Sequence, residues 1–221
     1  MARQVLIWGT GEVANVLVHL IHETEMFDVV GLCVDNEFWR DGMKVCGIDV
    51  MKFNEAIDKF PPNEVEVMVA VGFKRLNGVR REILDRFIFL GYSPVSFIHP
   101  SSYIAPSVRL GRHVLIMPKV VLEPGVKIGD NVFIWSGAVV CHDVRVEKDA
   151  FIAGGVVVGG GTVIGEGSFL GMNAVVRDHR SIGRGCVVGA GVYVRKDISD
   201  NHIIRISNQT YQVSPIDNLP L

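Results

Sequence analysis

From Ile104 to Val194 every sixth residue is aliphatic: Ile104, Leu110, Ile116, Leu122, Ile128, Ile134, Val140, Val146, Ile152, Val158, Ile164, Leu170, Val176, Ile182, Val188 and Val194. Two positions earlier stand mostly small or β-branched side chains such as Val108, Val126, Ala138 and Ala150, and the following position is often glycine, as at Gly111, Gly129 and Gly159. Residues two apart on an extended chain share a face, so each six-residue unit offers two inward side chains and then must turn. Glycine near the corners permits the turn. Three such sides close a triangle of about 18 residues, and triangles stacked at a strand spacing of about 4.8 Å bond coil to coil through the backbone. The pattern therefore predicts a parallel β-helix prism of about five coils. An amphipathic helix would repeat near 3.6 residues, which this period excludes.

The first hundred residues follow other periods. "QVLIWGTGEVANVLVHLIHETEMFDVVGLCVDN" reads as an apolar strand, a glycine turn, a helix with Val13, Val16, Leu17 and Leu20 on one side, and a second strand ending at Asp35. That is a βαβ unit. "EVEVMVAVGF" adds a strand and "RREILDRFIFLGY" a helix before "SFIHPSSYIAPS" hands the chain to the prism. The expected organisation is a Rossmann-like α/β domain over 1–97, the β-helix over 98–200 and a tail over 201–221. Gly9 and Gly11 fall where such a fold turns backbone N–H groups and a helix N-terminus toward phosphate, and Asp35 and Gly72 fall at strand ends facing the same crevice. The motif is GxGxxA, with Ala14 last, and it equally describes a plain strand-to-helix turn.

Composition narrows the function. With 22 basic against 24 acidic residues in 221 and no basic block, a dedicated nucleic-acid surface is not expected, although a local basic cleft would be invisible in a net charge of −2. No apolar run is long enough to span a membrane, and a soluble cytoplasmic protein is expected. Cys33, Cys46, Cys141 and Cys186 lack CxxC spacing and read as thiols in a reducing compartment.

The stretch "VVCHDVRVEKDA" places His142 outside the inward pair of its hexad, near a corner. One coil down from it is Pro124 and one coil up is Gly160, so a glycine over the imidazole leaves space for a thin ligand arm and an unobstructed N–H. A corner histidine without such company would be a bystander. Cys141, next to it, reads as a packing thiol rather than a nucleophile. The remaining histidines lack metal-ligand spacing, and no metal is expected.

"IWGTGEVA", "LCVDNE", "VAVGF", "IHPSSYIAPSV", "LIMPKVVLEPGVKIGDNV" and "GSFLGMNAVV" together resemble the bacterial nucleotide-amino-sugar N-acetyltransferases and their sialic-acid O-acetyltransferase kin, over residues 4 to about 196. The resemblance implies a left-handed coil and an acetyl-CoA-dependent N-acyltransferase. Its acceptor would be the amino group of a UDP-, GDP- or dTDP-linked deoxyamino sugar, in surface-glycan (lipopolysaccharide) biosynthesis, with no acyl-enzyme. It implies His142 as general base, Asp143 orienting it, and the Gly160 amide on the thioester carbonyl. Met172, Asn173 and Ala190 match positions lining the acyl-CoA groove, and Gly9, Gly11, Asp35 and Gly72 those facing the nucleotide sugar. It also implies a homotrimer with sites between subunits, with which Phe133 and Trp135 on the outer faces of the prism are consistent. Two departures stand out: relatives often carry a second histidine nine residues after the base, here Phe151, and the chain ends "DNHIIRISNQTYQVSPIDNLPL" instead of in Gly-x-Pro-Ala-Lys. The first leaves the acyl group open, and the second makes the tail an edge cover, a partly disordered segment or a subunit contact. Rival readings are a sialic-acid-type O-acetyltransferase and a non-catalytic hexapeptide module.

Overall fold

A computed structural model of the chain describes residues 3–206. The N-terminal sheet begins with β1 (Arg3–Trp8), followed by helix α1 (Glu12–Thr24) and β2 (Phe27–Val34). A hairpin of β3 (Lys44–Val45) and β4 (Ile48–Lys52), helix α2 (Phe53–Lys59), β5 (Glu66–Val69), helix α3 (Gly78–Phe89) and β6 (Ser93–Pro94) complete it. The strand order is β3-β4-β2-β1-β5-β6, with only β3–β4 antiparallel. The chain leaves β1 toward β2 and β4 and then returns to β1's other side with β5, so the order reverses there and opens a crevice at the strand C-termini. Helix α1 buries Ala14, Leu17, Val18 and Ile21, an i, i+3, i+4, i+7 stripe. That corrects the expected apolar side, because Val16 lies outside the stripe and is exposed.

The prism has three flat faces of two-residue strands. Face one runs from Phe97–Ile98 to Ile203–Ile204 in seven strands, face two from Tyr103–Ile104 to Tyr193–Val194 in six, and face three from Arg109–Leu110 to Ser181–Ile182 in five. Rungs up to Val194 pair parallel with the residue 18 positions on, as Leu115 with Phe133 and Val139 with Val157, and the last rung, Val187 with Ile203, closes at 16. The second residue of each strand points inward, and Leu122, Val140, Val158 and Leu170 are fully buried. Corners need a left-handed residue, and they recur in columns such as Gly125, Asp143, Gly161 and His179, or His113, Asn131, Asp149 and Gly167. Glycine, asparagine and aspartate tolerate that conformation best. The start of the expected tail adds the last strand of face one, since Ile203–Ile204 pairs with Val187–Val188. The rest, 207–221, lies outside the described residues.

Face one is where the two halves meet. Its outward side chains Phe97, Leu115, Phe133 and Phe151 are buried, and Phe73 of the N-terminal half packs on Phe151 and Phe169 at 5.5 and 4.6 Å between ring centroids. Phe133 therefore marks a face covered by the chain's own N-terminal domain, which corrects its reading as part of a subunit contact. Phe151 belongs to the same aromatic stack, at 5.1 Å from Phe133.

A polar clamp closes the edge of this junction. Arg80 of α3 is fully buried and donates to the carbonyls of Gly72, Asn131, Asp149 and Ala150 at 3.1, 3.0, 3.2 and 3.3 Å, and to Asn131 Oδ1 at 3.1 Å. His113 completes it: its Nε2 accepts the Val69 N–H at 2.9 Å and its Nδ1 lies 2.9 Å from Asn131 Oδ1.

Candidate active site

His142 and Asp143 form the corner between the strands Val139–Val140 and Arg145–Val146, on the vertex joining faces two and three. Asp143 takes the left-handed conformation, φ 57°, which turns its carboxylate back onto its neighbour's ring. His142 Nδ1 lies 3.1 Å from Asp143 Oδ2. An ionised carboxylate only accepts, so Nδ1 carries the hydrogen and the Nε2 lone pair is left free. The backbone below is held too, because the His142 N–H donates to Glu123 Oε2 at 2.8 Å.

Nε2 points at Gly160. A Cβ built on that glycine would stand 2.5 Å from Nε2, so only a residue without a side chain leaves the ring where it is. Among the described residues the Gly160 N–H donates to no protein acceptor, whereas the next amide, Gly161 N–H, is taken by the His142 carbonyl at 2.9 Å. A free proton acceptor and an unfilled amide donor thus meet at one exposed vertex. Above them His179 leans on Gly161, its Nδ1 2.5 Å from where a Cβ would be. Glu123 and His179 were not singled out from the sequence for this vertex; counting one coil back from Cys141 or one coil on from Gly161 finds both. Burial, reinforced by the Glu123 carboxylate, pushes the Cys141 thiol up, which keeps it protonated and unsuited to nucleophilic attack.

The other expected site residues lie elsewhere. Met172 and Asn173 occupy the corner between faces one and two, with Ala190 one coil above Met172. Gly160 and Met172 are two prism sides apart along the chain, which places them on neighbouring vertices separated by an edge of at most about 20 Å. In the N-terminal domain Gly9, Gly11 and Gly72 do come together. Gly9, at φ 128°, presses on the Ala70 carbonyl, Gly11 precedes the first turn of α1, and Gly72 faces Val13. Asp35 is at the same strand ends, but both its oxygens are engaged by Arg86 at 2.9 Å each, a bidentate pair that the expectation of Asp35 facing the nucleotide sugar did not include. Because Phe73 packs on face one, this crevice sits across the prism from His142. Among the described residues no group of three or more acidic, histidine or cysteine side chains could hold a metal ion. No helix there is long and apolar enough to cross a membrane.

Residues 125–160 and 161–196 match the family described as "Bacterial transferase hexapeptide (six repeats)". No match was found among curated proteins. Among solved structures, the acetyltransferase domain of PglB from Neisseria gonorrhoeae in complex with acetyl coenzyme A is 26% identical, with a TM-score of 0.81 over 92% of this chain and 96% of that one. A mutant of GDP-perosamine N-acetyltransferase from Caulobacter crescentus, in complex with CoA and GDP-perosamine, is 30% identical, with a TM-score of 0.82 over 90% of this chain and 92% of that one. WeeI from Acinetobacter baumannii, at 18% identity and a TM-score of 0.62, shares the fold. The chain is an acyltransferase with a Rossmann-like domain on a left-handed β-helix, and it belongs to the nucleotide-amino-sugar N-acetyltransferase and sialic-acid O-acetyltransferase-like family of hexapeptide-repeat enzymes.

Proposed function

We propose that the protein transfers an acetyl group from acetyl-CoA to the amino group of a nucleotide-linked deoxyamino sugar, with His142 as general base. The observation that carries this reading is the pairing of a free His142 Nε2 with the bare, unfilled Gly160 amide. The amine nitrogen attacks the thioester carbonyl carbon, a C–N bond forms, and the amine proton passes to Nε2. The Gly160 N–H holds the oxyanion; its collapse breaks the C–S bond, and the imidazolium returns the proton to the departing thiolate. General-base assistance is worth about 10²–10⁴ in rate, and a fixed donor at the oxyanion about 10²–10³. Asp143 keeps the ring in the tautomer that accepts at Nε2. The complexes of the two relatives, with acetyl-CoA in one and with CoA and GDP-perosamine in the other, support the choice of cosubstrates.

The nucleotide crevice, the His142 vertex and the Met172–Ala190 vertex lie on three sides of one prism, so a complete site takes residues from more than one copy. The resemblance gives a homotrimer as that assembly. Face two supports it, presenting an outward apolar column of Tyr103, Val121, Val139, Val157, Val175 and Tyr193, of which both tyrosines and Val175 are exposed. In this reading Gly9, Gly11 and Gly72 of a neighbouring copy receive the nucleoside end of the acceptor, Met172, Asn173 and Ala190 of a neighbouring copy border the CoA arm, and the reaction belongs to cytoplasmic steps of surface-glycan assembly.

The test is to incubate the protein with acetyl-CoA and UDP-, GDP- or dTDP-linked 4-amino sugars and to follow free thiol. His142→Ala is expected to lose about two to four orders of magnitude in turnover while melting within roughly 2 °C of the parent, since the ring is exposed. Unchanged turnover removes the base assignment, and thiol release with hydroxyl acceptors alone moves the enzyme to O-acetylation.

A further inference from the structure

Face three differs from the other two in charge. Its outward column is Arg109, Lys127, Arg145, Val163 and Ser181, each stacked on the last by parallel pairing. The three cations are exposed on consecutive rungs about 4.8 Å apart. Arg145 pairs with Glu147 at 2.9 Å, but among the described residues neither Arg109 nor Lys127 forms an ion pair. Stacked like charges repel one another, and a bridging anion turns that repulsion into attraction. A net charge of −2 for the whole chain conceals this local excess.

The column also borders a space. An open groove of ≈ 410 Å³ is lined by Arg109, Lys127 and Arg145 together with Gly125, Asp143 and Val163. Asp143 is its one carboxylate and is the group that holds the His142 ring. The groove therefore opens onto the proposed catalytic vertex. Its direction along the prism is informative: Arg109 and Lys127 sit on coils N-terminal to His142, whereas Gly160, which would receive the thioester carbonyl, sits one coil to the C-terminal side.

We propose that Arg109, Lys127 and Arg145 form a phosphate-binding column that takes the diphosphate of an acceptor whose nucleoside lies in the Gly9–Gly72 crevice of a neighbouring copy, and so presents its sugar to His142 from the side opposite the thioester. A diphosphate offers acetyl-CoA and the acceptor the same claim on this column, and the placement of the rungs selects the acceptor. The identity of the anion rests on the transferase reading; the existence of the site does not.

The experiment titrates inorganic pyrophosphate, UDP, GDP and CoA separately into the full chain and into the double variant Arg109→Gln/Lys127→Gln by calorimetry. Steady-state kinetics and light scattering accompany it. The wild type is expected to bind pyrophosphate, more weakly as salt rises, and the variant to bind it about tenfold less tightly or worse. The KM for the amino-sugar nucleotide should rise by a similar factor, with kcat, the KM for acetyl-CoA and the molecular mass unchanged. Unaltered pyrophosphate affinity overturns the site, a rise confined to the KM for acetyl-CoA overturns the assignment to the acceptor, and a fall in mass makes the column a subunit contact. Loss of pyrophosphate binding by a protein that turns over no amino sugar sustains the column while refuting the transferase reading.

Discussion

Two vertices of the same prism each carry a histidine at a corner, and they have opposite fates. His142 is exposed, with one nitrogen on Asp143 and the other facing an empty amide; His113 is fully buried, with one nitrogen on Asn131 and the other on the Val69 N–H. His142 is the first residue of its two-residue turn and His113 the left-handed second, but His179, also a left-handed second residue, is exposed, so turn position does not decide burial. The occupant of the space outside does. Arg80 fills the notch over Asn131 and Asp149, and nothing among the described residues takes the Gly160 N–H. An imidazole becomes a structural plug where the other domain seals it, and keeps an accessible lone pair, as the proposed base must, where a bare glycine faces it.

Removing the seal should have the largest effect. Arg80→Met leaves the carbonyls of Gly72, Asn131 and Asp149 without a donor, and buried acceptors stripped of their partner cost about 1–3 kcal/mol each, or roughly 3–5 kcal/mol together. For a chain of this size that is a fall in Tm of roughly 10 °C or more, read by calorimetry. A fall under about 2 °C would mean water reaches these groups and the two vertices are not opposites. At the open vertex the corresponding change adds an atom. Gly160→Ala drives a methyl into His142 Nε2 and blocks the amide, so kcat should fall about 10²–10³-fold with Tm within roughly 2 °C, because Gly160 has no left-handed φ that alanine would strain. Full activity in thiol release would detach the amide from the chemistry.

The two halves of the chain were not equally legible. The prism could be read because its period ties each residue to a face: the inward aliphatic positions, the parallel register and Gly160 over His142 follow from counting. The same count separates Met172 from Gly160 by two sides, so their placement on different vertices was already present in the numbering. The crevice glycines were also readable, since only a close approach such as Gly9 on the Ala70 carbonyl demands that residue there. Contacts between distant segments were not. Arg86 on Asp35, Arg80 across two coils and Phe73 on Phe151 join elements with no shared period, and a charged residue in α3 looks the same whether water or a prism faces it. The burial of Phe133 was missed for this reason, because the pattern assigned it correctly to an outer face without saying what would cover that face.

Acid offers the finest discrimination between the vertices. Burial pushes the His113 imidazole down to about 4, with the Asn131 hydrogen bond opposing and Arg80 reinforcing the shift. In the unfolded chain the same ring takes its proton near pH 6.5. Between those values the unfolded state binds more protons than the folded one, so stability is whole above about pH 6.5 and is lost as pH falls toward 4. The upper limit is about 3 kcal/mol. Asp149, facing the same junction, works against the loss: burial raises its carboxyl, and a carboxyl that protonates more readily when folded favours the native state in acid. The net effect is therefore smaller than that limit. Melting temperatures taken from pH 7.5 to 4.5 should fall more steeply for the wild type than for His113→Gln, which keeps an amide donor and acceptor at the position but has no proton to gain. Parallel curves would show that His113 titrates as a hydrated ring and that the seal opens before the protein unfolds. A steeper wild-type curve, with His142→Ala following the wild type, would place the acid-sensitive contact at the sealed vertex and leave the open one to chemistry.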